Sequence, residues 1–194
     1  MNRNEPILDD EYYHIYNRGN RKQPIFGDDA DYRSFLEKLC DASRKYKVFV
    51  VVYTLMPNHF HFILVQTSGG SIPRLMNSVE SSAARRFDLK YGEVGHLFQG
   101  RYRYDIISSE ESLLSVAKYI HLNPVAAGLV RHPEDWPYSD FAEFVCMADG
   151  LNGVPQLRLN RGEGGLLPYS SLEYIDFVRK KDPDEGVLHP GSVS

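Results

Sequence analysis

Tyr53-Thr-Leu-Met-Pro-Asn-His-Phe-His-Phe-Ile-Leu-Val-Gln66 is a run of strong β-formers built around His59-Phe60-His61. Met56-Pro57-Asn58 reads as a turn just before the two histidines. Side chains alternate faces along a strand, so His59 and His61 share one face and Phe60 takes the other. Two imidazoles about 7 Å apart along a strand can converge on one metal ion. The plain alternative is two histidines on a half-exposed strand. Phe60, Phe62 and Leu64 then form an apolar face for helices to cover. Immediately upstream, Lys47-Val-Phe-Val-Val-Val-Tyr53 reads as a buried strand. So short a link between the two predicts an antiparallel pair.

The flanking segments complete a β-α-β-β-α-β-α order. Tyr12-Tyr-His-Ile-Tyr-Asn17 is aromatic and predicts a first strand, with Tyr12, His14 and Tyr16 on one face. The basic loop Arg18-Gly-Asn-Arg-Lys22 follows. Its Arg18, Gly19, Asn20 and Arg21 are candidates for phosphate or base contact, or simply a solvated turn. Asp28 to Tyr46 predicts a helix, with aspartates at its start, Arg44-Lys45 at its end, and Tyr32, Phe35, Leu36 and Leu39 inward. Ile72 to Tyr91 predicts a second helix capped by Ser71, with Leu75, Val79 and Ala83 inward; Arg85 and Arg86 are left to meet phosphate or solvent. Tyr102 and Tyr104 alternate with Arg101 and Arg103 in a strand running to Ile107, a pattern that could stack bases while neutralising phosphates or simply pack across strands. Glu110 to Leu122 predicts a third helix that ends near Asn123-Pro124, because a residue before proline is pushed out of the α region. Residues 140–146 predict a short helix. Beyond about residue 150 the chain reads as an extended tail, interrupted by a docking helix over Ser171 to Val178. The expected division is a domain over 1–146 and an extension over 147–194.

The totals bound the function. The 194 residues carry 26 acidic and 22 basic side chains, a formal net charge of −4. Contact with nucleic acid must therefore use local patches and be salt-sensitive. The two cysteines, Cys40 and Cys146, lack metal-ligand spacing. With a polar N-terminus and no apolar run near 18 residues, the chain is expected to be cytoplasmic and reduced, with no membrane span.

Tyr119 and Asn123 are four residues apart near the end of the third helix, on one face and one turn apart. An Asn oxygen is a hard ligand that could join two histidines at a metal, and a phenol beside a cation can attack a phosphate. The same pair could equally be a helix-surface tyrosine and a helix terminator.

Four motifs in order carry a resemblance: Arg18-Gly-Asn20, Leu55-Met-Pro-Asn-His-Phe-His-Phe62, Gly95-His-Leu-Phe-Gln-Gly-Arg101 and Tyr119-Ile-His-Leu-Asn-Pro124. From about Tyr12 to Phe141, ending in Trp136-Pro-Tyr-Ser139, the chain resembles the single-tyrosine HUH transposases, in the REP-associated branch of the transposase IS200-like family. The resemblance implies an α+β ferredoxin-like or RRM-like sandwich, an antiparallel sheet with helices on one face, plus a C-terminal tail. It implies His59, His61 and Asn123 as ligands of Mg²⁺ or Mn²⁺ and Tyr119 as nucleophile. The insertion-sequence branch usually carries Gln at the third ligand, so Asn123 favours the REP-associated branch. Arg18, Gly19 and Asn20 match a loop that in relatives helps read a guide sequence beside a hairpin. The common arginine after Asn-Pro-Val is Ala126 here, which removes one DNA contact.

The implied activity is nicking and rejoining of single-stranded hairpin (REP-like) DNA through a 5′-phosphotyrosine, in transposition or REP dissemination, by a nucleoid-associated monomer or homodimer. Its competitor from another class is a domesticated hairpin-DNA-binding module that cleaves little. An RRM-like RNA binder and a hydrolytic phosphoesterase with a water nucleophile are further alternatives.

Overall fold

The structure, a computed structural model, describes residues 6–93, 95–148, 167 and 170–180. In chain order the elements are β1 (Tyr12–Arg18), α1 (Asp29–Lys45), β2 (Val48–Met56), β3 (His59–Gln66), α2 (Ile72–Tyr91), β4 (Arg103–Ile107), α3 (Glu110–Ala126), α4 (Phe141–Ala148) and α5 (Ser171–Arg179). This is the β-α-β-β-α-β-α order expected, with the short and the docking helices after it.

Local chemistry sets the ends of these elements. Asp28 and Asp31 form a reciprocal capping box at the start of α1. The Ser71 hydroxyl accepts from the Arg74 N–H at the start of α2, and Gly92, at φ 67°, closes that helix in the left-handed region. The expected end of α3 at Asn123 is corrected: the helix runs through Pro124 to Ala126. Proline in the last turn removes a single donor, and the Leu129 N–H bonds back to the Pro124 carbonyl to close the end. Asn123 is therefore helical, one turn beyond Tyr119.

The four strands form one antiparallel sheet in the order β2-β3-β1-β4. Met56 pairs with His59, so Pro57-Asn58 is the two-residue hairpin loop. A bulge between Val50 and Val52 re-phases β2, so Val50 and Val52 serve opposite faces, paired with Leu64 and Ile63. One face carries Tyr13, Ile15, Phe60, Phe62 and Leu64 and is covered by α1 and α2 through Phe35, Leu36, Leu39, Leu75, Met76 and Val79. Phe60, Phe62 and Leu64 are fully buried, and each contributes roughly 1.5–3 kcal/mol of burial. This is the sandwich expected.

The other face carries the histidines. Here α3 crosses the sheet, with Leu113, Ala117 and Ile120 seated on Val52, Ile63, Val65 and Ile107. The docking helix α5 is present and completes this second core with Tyr174, Ile175 and Val178. The stretch read as an extended tail lies outside the described residues. Tyr102 and Tyr104 are packing residues, not a base-stacking platform: Tyr102 is buried, and Tyr104 packs edge-on against Tyr13 on the α1/α2 side. The strand there begins only at Arg103. Both cysteines are free thiols. Among the described residues no helix is long and apolar enough to cross a membrane.

Candidate active site on the histidine face of the sheet

Register decides which side chains share the open face, because directly paired residues of antiparallel strands point the same way. Arg18 pairs with His59 and Tyr16 with His61 across β1 and β3. Across β1 and β4, His14 pairs with Asp105 and Tyr16 with Arg103. The face thus assembles His14, Tyr16, Arg18, His59, His61, Arg103 and Asp105 beneath α3.

The helix brings Tyr119 to this face within the same chain. Its ring stands edge-on to His61 at a centroid distance of 5.5 Å and to His14 at 6.4 Å. The Asn123 Nδ2 donates to the Tyr119 carbonyl at 2.8 Å, and the Asn123 side chain also hydrogen-bonds the His59 ring. The rings of His59 and His61 lie 5.1 Å apart. Tyr119, His59, His61 and Asn123 are therefore one constellation, drawn from β3 and the last turns of α3.

Its electrostatics favour neutral imidazoles. His59 is held down at about 4, chiefly by burial, with the Asn123 hydrogen bond opposing and the Arg18 charge adding to the depression. Burial also holds His61 well below its ordinary value, with the neighbouring His14 and His59 acting in the same direction. His14 is pushed down to about 4 by burial. Neutral imidazole is the form that ligates metal.

The proton positions fit as well. Asn58 Nδ2 donates to the Lys22 carbonyl, which fixes the orientation of that amide. Its Oδ1 must then accept from His59 Nδ1, at 2.7 Å, leaving a lone pair on His59 Nε2. Two imidazoles and one amide oxygen suit a divalent cation with open positions. Among the described residues no group of three or more His, Cys, Asp or Glu side chains could hold a metal; the candidate set here differs in taking Asn as its third member.

The remaining candidates are placed as follows. Arg18 is half-buried beside His59, and its Nε is buried without a hydrogen-bond partner. Gly19 is required by its own loop, since a Cβ there would collide with the Gln23 carbonyl. Its N–H donates to the Asn58 carbonyl, and the Asn20 N–H to that of Leu97, so the basic loop is stitched to the histidine hairpin. Asn20 and Arg21 are exposed, with Arg21 in the left-handed region at φ 52°. Arg103 is exposed on the histidine face and hydrogen-bonds Tyr16. Arg101 lies over the Tyr102 ring at 5.5 Å. Arg85 and Arg86 are on α2, across the sheet from the histidines, and Arg86 is paired with Asp31 at 3.4 Å. They do not join the constellation.

Sequence reasoning missed one participant on this face, His14. His14 Nε2 sits 3.0 Å from His61 Nδ1, with the two rings stacked. On the opposite, α2-covered face, Asn17 Nδ2 donates to Glu80 Oε1 at 2.7 Å, and burial holds Glu80 up at about 7 against Asn17 and Arg101. The placing of His14 on one face with Tyr16 was a signal, but its partner required the register.

A family model described as transposase IS200-like matches residues 8–123. A REP-associated tyrosine transposase of Haemophilus influenzae is 25% identical over 143 residues, spanning 66% of this chain and 79% of that protein. A solved REP-associated tyrosine transposase bound to a REP hairpin superposes with a TM-score of 0.65 at 19% identity, covering 78% of this chain and 87% of that one. That likeness supports the fold. The family match covers more than half of the chain and runs through the histidine hairpin to Asn123, so the chain belongs to the transposase IS200-like family.

Proposed function

We propose that this protein nicks and rejoins single-stranded DNA at hairpin-forming sequences, with Tyr119 as nucleophile. The observation that carries the reading is the meeting of Tyr119 with His59, His61 and Asn123 at one face of one chain. The family, and a related protein solved on a REP hairpin, point to the same class of substrate. Mg²⁺ or Mn²⁺, held by His59, His61 and Asn123, would polarise the scissile phosphate.

The chain's own residues do the rest. Arg18 and Arg103 offer positive charge on the histidine face, where a backbone would lie. The Tyr119 oxygen attacks phosphorus, and a P–O bond to tyrosine forms as the P–O3′ bond breaks. The phenol loses its proton and the departing 3′ oxygen gains one. The strand is retained as a 5′-phosphotyrosine, so the phosphodiester energy is conserved and a 3′-hydroxyl can reverse the step. His121 is not the base in this scheme. Although only two residues from Tyr119, it is fully buried and bonded to Tyr174 and Asp140.

In this reading the catalytic unit is residues 1–146, residues 147–194 are an extension, and the protein works as a cytoplasmic, nucleoid-associated monomer or homodimer. The test incubates the protein with single-stranded DNA spanning the hairpins that flank its gene, with Mg²⁺ or Mn²⁺. A denaturation-resistant protein–DNA adduct is expected from the wild type and none from Tyr119→Phe. Equal cleavage by both would assign the reaction to a water nucleophile, and binding without cleavage would leave a hairpin-binding module.

A further inference from the structure

His59 and His61 each have Nδ1 engaged by a neighbour, but the neighbours differ. For His59 the partner is an amide oxygen that can only accept, so its Nε2 carries the lone pair. For His61 the partner is another imidazole, His14, whose Nε2 lies 3.0 Å from His61 Nδ1. One proton lies between these nitrogens, and its position decides what His61 can do. If His14 donates, His61 Nε2 holds the other proton and cannot bind a cation. If His61 donates, its Nε2 lone pair is free.

We infer that His14 is a positioning residue: it accepts the Nδ1–H of His61 and so presents the His61 Nε2 lone pair beside that of His59. The inference rests on the reading of His59, His61 and Asn123 as the ligand set. The geometry also fixes the His61 ring. His14 stacks on His61 at 5.1 Å and 25°, Tyr16 flanks both rings at 4.9 and 5.9 Å, and Tyr119 closes over them edge-on. His14 is held on the central strand β1, with β3 on one side and β4 on the other. His61 is itself buried, at 7% exposure, so solvent is poorly placed to take over as acceptor. A ligand whose second nitrogen is held in this way gains both orientation and basicity.

The test uses the full chain and reads metal binding rather than turnover. Mn²⁺ affinity is measured by titration calorimetry and by the loss of the free-ion electron paramagnetic resonance signal, for wild type, His61→Ala, His14→Phe and His14→Gln. His14→Phe keeps a flat ring but removes the acceptor, and is expected to weaken Mn²⁺ binding roughly 10–100-fold. His14→Gln, whose Oε1 can accept the same N–H, is expected to restore most of that loss. Nitrogen NMR of the metal-free protein supplies a second readout. The wild-type His61 ring is expected as the Nδ1–H tautomer, with the Nε2–H form rising in His14→Phe. Unchanged Mn²⁺ affinity in His14→Phe, with His61→Ala impaired, would overturn the role of His14 and leave the ligand set standing. A wild-type His61 in the Nε2–H form would also overturn it. Equal Mn²⁺ binding by wild type and His61→Ala would remove the ligand set and this inference together.

Discussion

Single side chains at this site do work that their neighbours dictate. Tyr119 and His121 are two residues apart on one helix, yet one faces the histidine pair and the other a sealed polar cluster. Glu80 shows the same dependence on surroundings. It is a carboxylate tucked under Asn17, and burial raises its proton affinity to about 7 from 4.5. Between these values the folded state holds more protons than the unfolded chain. Stability must therefore fall as pH rises from 4.5 to about 7. Glu80→Gln keeps the acceptor for Asn17 and removes the charge. It is expected to flatten this slope and to be more stable than wild type at pH 8, by on the order of 1–3 kcal/mol. Urea denaturation at pH 5 and pH 8 checks it; a parallel pH dependence in the two proteins would show that Glu80 ionises freely.

Between elements, α1 and α2 are joined through Asp28 and Asp31, which share Lys90, and Asp31 is the buried one of the two. Asp31 caps α1, and its Oδ1 takes Lys90 at 2.8 Å while its Oδ2 takes the Tyr91 hydroxyl at 2.6 Å and the Gly27 N–H at 2.9 Å. Burial alone would raise its pKa. The hydrogen bonds to Lys90, Tyr91 and Gly27 outweigh that and hold it at about 2. Its contribution is thus present above about 3.8 and is lost as pH falls through about 2. Asp31→Asn is expected to cost roughly 2–4 kcal/mol at pH 7, because it leaves the lysine and the tyrosine partly unpaired. The loss should shrink toward pH 2, as thermal melts across that range would show. A cost that did not change with pH would assign the effect to capping alone. The same network explains why Arg86 is committed to the fold: the Asp31 it pairs with was read from sequence only as a helix-start residue.

Across the whole molecule, the tyrosine-bearing helix is held from three directions. The sheet lies beneath it, the segment around Asp140 bonds it to β2, and α5 closes over it. His121 is the common point: its Nδ1 meets the Tyr174 hydroxyl at 2.7 Å, its Nε2 meets Asp140 Oδ1 at 2.8 Å, and that same oxygen accepts the Tyr53 N–H at 2.9 Å. All three side chains are essentially sealed from solvent. Tyr174→Phe deletes one hydroxyl in this chain and is expected to cost about 1–3 kcal/mol. Denaturant titration of the full chain measures it, and no loss of stability would mean that α5 is not docked in solution.

These partners mark the border of what could be read from the chain alone. The strand pair around His59-Phe60-His61, the Pro57-Asn58 hairpin, the span of α2 and the inward faces of α1 and α2 were all legible. Periodicity, capping residues and turn residues are local, and they act on neighbours within a few positions. The pairing of Tyr119 with Asn123 was legible for the same reason, being one helical turn. The helix end was misjudged because Pro124 sits in the last turn, where a missing donor costs little. Tyr102 and Tyr104 were ambiguous because an alternating aromatic strand looks the same whether its rings meet bases or a core. His14 with His61, Asn17 with Glu80, and His121 with Tyr174 join positions 47, 63 and 53 residues apart. Strand register and helix docking create those contacts, and both are settled by the total burial of two cores rather than by any one segment. The chain's local chemistry thus named its elements, and four short motifs carried the resemblance that named a candidate nucleophile and ligand set, while long-range packing chose the hydrogen-bond partners that decide how those groups are held.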